Sequence, residues 1–291
     1  VKWVEKPRAS YRCFKGRDQN GSGECVVMTY ATELSIVFFQ KYGVWVDFSS
    51  SFPYQQRKYP ENSGCSSEDV YTIFPRIGNV FESFMPSQQM SDAQAMAVPR
   101  LPYFADLALP FSIKRIQLPI DFDVVASTSQ ATGKGIMVWF KFSMAEWTNI
   151  PEIHPVPTTS GHSVTVVDVV LKNGVQYLVI QDSWGLQYAD QGLRLISREY
   201  FNARCFLASY LLSFKTQDNT TVARPHFDGS IVSAQKCFKW EGLFPANIDE
   251  VESWGNITKS ACKAFQIRFG ITPAEGNFGP ITKAKLQVLY P

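Results

Sequence analysis

Residues 25–40 (CVVMTYATELSIVFFQ) restrict the possible folds of this chain more than any other stretch. Val27, Tyr30, Leu34 and Val37 or Phe38 recur three and four residues apart, the period of one helical face, and glycines at 21, 23 and 43 punctuate both flanks. A buried central helix is expected, with the rest of the domain built around it.

Cys25 opens that helix after the approach Asn20-Gly21-Ser22-Gly23. Unpaired amides and partial positive charge at a helix N-terminus favour a thiolate over a thiol, so Cys25 is a candidate nucleophile. Taken alone, it reads more simply as a buried core cysteine. Potential partners change the balance. His162 follows Gly161 and opens an apolar run, where it can project from a sheet edge toward a facing helix. Twenty residues on, Gln181-Asp182-Ser183-Trp184-Gly185 ends another strand-like run, and Asp182 can accept a proton from the far nitrogen of the imidazole. Nucleophile, base and orienting oxygen form one catalytic unit. The other two histidines, His154 in a Pro-rich loop and His226 in a polar segment, are expected at the solvated surface.

These residues, in this order, resemble the papain-like cysteine peptidases, which combine an upstream Gln, a helix-starting Cys, a Gly-His before an apolar strand and an Asn-Ser-Trp-Gly strand end. Here the parts are Asp18-Gln19-Asn20-Gly21, Cys25, Gly161-His162-Ser163-Val164 and Asp182-Ser183-Trp184-Gly185. Cys25 and His162 are 162 − 25 = 137 positions apart, and Cys25 and Asp182 182 − 25 = 157. The family's spacing is roughly 130–150. The resemblance covers about residues 1–214. It implies that Gln19 and the Cys25 amide form an oxyanion hole, that His162 is the base, that Asp182 orients it and that Trp184 shields that hydrogen bond. It implies a protein or peptide substrate and neither metal nor cofactor.

The departures are local. Ser22, Glu24 and Val26 stand where the family has a cysteine, a small residue and an aromatic; Gly23 and Cys25 match. The resemblance implies that Ser22 removes a disulfide to a cysteine near Cys65, with Cys13 as the alternative partner. The family's Gly-Gly after Cys65, where substrate backbone is held, appears as Ser67-Glu68; with Gly23 these are the candidate substrate-binding residues. Asp182 in place of Asn adds a negative charge beside the imidazole.

The remaining pattern is α+β, and the resemblance makes it a two-lobed peptidase, one lobe helical and one a β-sheet. A short helix is expected to open at Ser66, with Asp69 completing a capping box, and strands at 136–142, 163–171, 176–181 and 206–214. Residues 215–230 are polar and read as a linker between a domain at 1–214 and another at 231–291. The second contains a repeat: WGNITKSACKAF at 254–265 and FGPITKAKLQVL at 278–289, offset by 278 − 254 = 24. Thr258 and Thr282 are expected N-caps, Gly270 a helix stop, and the unit a small three-helix module able to fold by itself. Phe278-Gly279-Pro280-Ile281-Thr282 and Ala264-Phe265-Gln266 resemble the peptidoglycan-binding module of bacterial and phage wall enzymes, which implies a cell-wall glycan partner. An accessory bundle that stabilises the peptidase is the alternative.

Composition excludes little else. Twenty-eight basic and 26 acidic residues are spread along 291 positions without a basic run, so nucleic acid is not expected as a partner. No stretch reaches the roughly eighteen apolar residues of a membrane span. The chain opens at Val1 with no charged-then-apolar leader, so a signal peptide or propeptide is expected to have been removed or to lie outside it. Cys205 reads as a buried thiol, while Cys237 and Cys262 are either bridged or core residues. The favoured reading is a secreted or wall-associated cysteine endopeptidase. A hydrolase of wall peptide cross-links and a catalytically silent structural or adhesion protein are the alternatives.

Overall fold

The computed structural model describes residues 16–148, 160–214, 225–241, 243–244 and 249–291. The helix foreseen at 25–40 is α1 (Cys25–Tyr42), and every residue from Val26 to Phe38 is buried. It stops where Gly43 turns left-handed (φ 71°) and donates its amide to the Phe39 carbonyl, a geometry glycine adopts without steric cost. Glu33, in the middle of this buried helix, forms a two-pronged ion pair with Arg115; both side chains are 1% exposed. Arg115 also donates to Ser209 Oγ (2.9 Å), so one guanidinium fixes α1 against the sheet.

That sheet has six strands, β1 (Ile113–Gln117), β2 (Ile136–Phe142), β3 (Ser160–Lys172), β4 (Val175–Gln181), β5 (Leu193–Ser197) and β6 (Cys205–Phe214), in the order β1-β6-β2-β3-β4-β5. All neighbours are antiparallel. The β3–β4 hairpin turns at Asn173-Gly174, both at positive φ (51° and 78°), the pair that matches strand twist in a two-residue turn. One face of the sheet packs on α1; the other carries α6 (Phe122–Thr132) and α8 (Arg198–Arg204) around Phe140, Tyr200 and Phe201. Strands β1 and β5 went unforeseen because each is only five residues long and carries a basic residue that breaks the apolar pattern.

Helices α2 (Ser51–Tyr54), α3 (Phe74–Ile77) and α4 (Asp92–Ala97) place Tyr54, Phe74 and Ala95 in the cluster around α1, α5 (Phe104–Ala108) packs with Phe52, Val80 and Met85, and α7 (Met144–Thr148) follows β2. The capping box at Ser66 and Asp69 is present: Ser66 Oγ accepts from the Asp69 amide, and Asp69 accepts from the Ser66 amide. The chain is helical from 67 onward and passes through a π-helical turn, Asp69–Ile73, into α3.

Past the undescribed residues 215–224, the segment expected to be linker is already packed at Phe227, whose amide donates to the Tyr290 carbonyl and whose ring meets Phe278. Three helices follow among the described residues, α9 (Ile231–Trp240), α10 (Asn256–Arg268) and α11 (Pro280–Leu289). Thr258 and Thr282 are not N-caps; Gly255 and Gly279 hold those positions. The hydroxyls are instead taken by two buried glutamines. Gln235 donates to Thr258 and the Ser253 carbonyl and accepts from the Val251 amide. Gln266 donates to Thr282 and the Asn277 carbonyl and accepts from the Gly276 amide. The repeat is thus one polar clamp built twice, and Trp254 stacks on Phe278 across it (4.6 Å, 16°). Gly270 turns left-handed just beyond α10, as expected of a stop. Cys237 and Cys262 are buried and are not bridged.

These helices do not stand apart. Leu243 and Ala264 close against Val80, Phe81, Phe84, Leu107 and Phe111. The buried cluster runs without a break from Phe38 and Phe214 to Phe238, Phe265 and Leu286. Arg268, 3% exposed, lies flat on Tyr42 at the end of α1 (3.3 Å) and bonds both the carbonyl and the carboxylate of Glu241. A shared core predicts one cooperative unfolding transition, against the expectation of two independent units. Arg268→Ala, which removes stacking and a charged hydrogen bond, is expected to lower stability by about 2–4 kcal/mol without splitting that transition in urea denaturation.

Candidate active site

Residues 17–19 run antiparallel to 183–185, with Asp18 bridged to Trp184 and backbone bonds Gln19 N to Ser183 O and Gly185 N to Arg17 O (2.9 Å each). This short ladder places Gln19, 7% exposed, beside the end of β4. Its side-chain amide donates to the Ser22 carbonyl, and its oxygen accepts from Ser183 Oγ. One amide proton remains free of these contacts. Cys25, half-buried, begins α1. Thr29 Oγ1 bonds the Cys25 carbonyl (2.8 Å) and accepts from Ser163 Oγ (3.1 Å), so the first turn of α1 is fastened to β3 next to His162.

His162 pairs across the sheet with Phe140, and its Nε2 lies 2.8 Å from Asp182 Oδ1. The Cys25 side chain is near enough to the same imidazole to favour its charged form. The structure therefore brings Cys25, His162 and Asp182 together, with Gln19 alongside. Trp184 sits 5.8 Å from the imidazole between ring centres. His154 lies outside the described residues, and His226 is exposed.

Two further residues were not anticipated. Trp147 of α7 stands edge-on to His162 (5.1 Å, 83°) and donates its indole N–H to Asp182 Oδ2 (2.7 Å). Arg194 of β5, 6% exposed, donates Nε to the same oxygen (2.8 Å) and Nη1 to the Trp147 carbonyl (2.8 Å). An arginine alone in an apolar five-residue strand was the available signal, since a buried cation needs a carboxylate. Arg194 answers the substitution of Asp for Asn: the extra negative charge is matched by a positive one. Burial works against charge on His162, but the Asp182 charge, the bond to Asp182 and the neighbouring Cys25 outweigh it and raise the pKa to about 9. Burial likewise opposes ionisation of Asp182, yet His162, Trp147 and Arg194 hold it below the usual carboxylate range.

The surroundings of Cys25 differ from expectation. Glu24 is fully buried; burial lifts its pKa to about 8, and it accepts from Ser22 Oγ (3.2 Å). Cys65 is a free thiol, and Cys13, its alternative partner, lies outside the described residues. Burial, with the nearby Cys25 adding to it, pushes that thiol well above its ordinary range. Ser67 and Glu68 occupy the first helical turn, exposed, with Glu68 ion-paired to Lys58. They do not offer the extended edge that a Gly-Gly segment would. Among the described residues no His, Cys, Asp and Glu cluster is fit to hold a metal ion, and no helix is long and apolar enough to cross a membrane.

Solved structures share the fold. The digestive procathepsin L 3 of the Tenebrio molitor larval midgut is 17% identical, with 72% of this chain and 73% of that one covered and a TM-score of 0.57. Xylellain, a cysteine protease from Xylella fastidiosa, is 17% identical over 73% of this chain and 92% of that one, with a TM-score of 0.56. The bromelain protease of Ananas comosus, in complex with the E64 inhibitor, is 14% identical over 72% and 100%, with a TM-score of 0.53. The chain has the papain-like fold, a mixture of helices and antiparallel sheet. No protein-family model and no curated protein matches its sequence.

In a thiolate–imidazolium pair the active form is lost at high pH when the imidazolium releases its proton. Asp182→Asn removes the charge that favours the imidazolium and leaves the Arg194 cation opposing it, so the His162 pKa must fall. The alkaline limb of the pH–rate profile is expected to move down from about 9, read from kcat/KM against pH. Arg194→Met leaves Asp182 with one buried cation fewer and is expected to cost about 3–5 kcal/mol in denaturant unfolding.

Proposed function

We propose that the chain is a papain-like cysteine endopeptidase that hydrolyses peptide bonds through Cys25, His162 and Asp182. One observation carries the reading: a single buried imidazole is bonded to a buried carboxylate and has the cysteine at a helix N-terminus as its other neighbour. The cleft would lie between the helical part around α1 and the sheet, the two lobes of such an enzyme. With Nε2 on Asp182, Nδ1 is left for the thiol. Cys25 attacks the scissile carbonyl, His162 passes its proton to the leaving amine, and water drawn by the neutral imidazole then releases the acyl group. Gln19 and the Cys25 amide stabilise the oxyanion. Asp182 keeps the ring oriented, and Trp147 and Trp184 keep water from that bond.

Residues 231–291 are proposed to bind bacterial wall glycan, with 1–214 as the peptidase and 215–230 joining them, so that the enzyme works secreted or at the wall. The twice-built glutamine clamp supports a duplicated module of that kind. A second reading, a hydrolase of wall peptide cross-links, is favoured by the helical turn at Ser67-Glu68, since such a substrate does not need the extended backbone edge that is missing there.

Cys25→Ala and His162→Ala are expected to abolish turnover of a denatured protein substrate without loss of fold. Gln19→Ala is expected to slow kcat about a hundredfold while Cys25 still reacts with an alkylating agent at an unchanged rate. Activity that survives in Cys25→Ala ends this reading. Cleavage of wall fragments but not of protein selects the second, and co-sedimentation of the full chain with purified sacculi tests the glycan role.

A further inference from the structure

Gly23 leads through Glu24 into Cys25, so its backbone path sets where the thiol and the Cys25 amide lie. A Cβ added to Gly23 would fall 2.2 Å from Ser63 Oγ and 2.5 Å from the Gly64 amide nitrogen. The approach segment and the 63–64 loop meet at a distance no side chain tolerates. Ser22 spends its hydroxyl on Glu24, and Cys65 is a free thiol, so no covalent link ties the two segments.

A carboxylate does. Asp92, the first residue of α4, accepts at Oδ1 from the Gly23 amide (3.0 Å) and from the Tyr54 hydroxyl, and at Oδ2 from Ser63 Oγ (3.2 Å). Tyr54 Oη accepts in turn from the Gly64 amide (3.4 Å). The loop that carries Ser63 is shaped by Arg57, 5% exposed, whose guanidinium stacks on the Tyr54 ring (3.6 Å) and donates to the carbonyls of Tyr54, Pro60 and Asn62. Hydrogen bonds to an ionised acceptor are about twice as strong as neutral ones, and three converge on this one.

We infer that Asp92 is a positioning residue for catalysis: a noncovalent brace that seats the Gly23–Cys25 backbone against the 63–65 wall and so aims the nucleophile and its oxyanion-binding amide. The inference rests on the peptidase reading. Misplacement of reacting groups by about an ångström costs on the order of a hundredfold in rate. Binding of substrate elsewhere in the cleft is untouched, so the loss belongs in kcat.

The test compares Asp92→Ala, Asp92→Asn and Tyr54→Phe with the wild type in peptide turnover, thermal midpoint and hydrogen exchange at the Gly23 amide. Asp92→Ala is expected to lower kcat about tenfold to a hundredfold with KM within about twofold, and to speed exchange at Gly23. Asp92→Asn, whose amide oxygen still accepts from Gly23 and Tyr54, recovers most of kcat; Tyr54→Phe falls between. A folded Asp92→Ala enzyme with wild-type kcat, or an Asp92→Asn enzyme as slow as the alanine variant, overturns the inference. Should Asp92→Ala not fold, Tyr54→Phe and Ser63→Ala decide: wild-type kcat in both overturns it, and a loss confined to kcat supports it. A wild type that turns over no peptide sinks the peptidase reading instead, while exchange at Gly23 still decides whether Asp92 holds this segment.

Discussion

The Asp182 carboxylate receives four donors in a space almost closed to water: His162 Nε2 and the Ser183 amide on one oxygen, Trp147 and Arg194 on the other. Each donor comes from a different place in the chain, on β3, the end of β4, α7 and β5. A charge buried this deeply is tolerable only when fully paired, so the order of the sheet and the seating of α7 are both tied to it. The imidazole is held as a consequence.

On the other side of the site the requirement is different. Helix α1 is buried on every side from Val26 to Phe38 and can only exist inside a core, which the sheet supplies on one face and residues of α2, α3 and α4 on the other. The Glu33–Arg115 pair fixes its rotation and height, and Thr29 to Ser163 fixes its first turn against the strand that carries His162. Cys25 is thus placed by long-range contacts made well away from it.

Much of this was legible in the sequence, for physical reasons that can be named. The period of Val27, Tyr30 and Leu34, the Asn173-Gly174 turn and the Gly-His and Ser-Trp-Gly strand ends each express a local rule, and local rules survive into the structure. What could not be read was set by contacts between distant segments. Arg194 and Trp147 matter only because β5 and α7 converge on Asp182. Thr258 and Thr282 have the chemistry of caps, yet two glutamines from other turns claim their hydroxyls. The small helices looked like a free module because sequence shows their own apolar faces but not Tyr42, to which Arg268 attaches.

Thiol enzymes face a conflict between the reducing surroundings that keep a nucleophilic sulfur usable and the oxidising ones that keep structural disulfides closed. Around this site the conflict is absent. Cys65, Cys205, Cys237 and Cys262 are in no disulfide, and the wall beside Cys25 is tied by hydrogen bonds to a carboxylate. A reductant strong enough to regenerate an oxidised Cys25 therefore loosens nothing among the described residues. Among the described residues the scaffold is held without a bond that reduction can break.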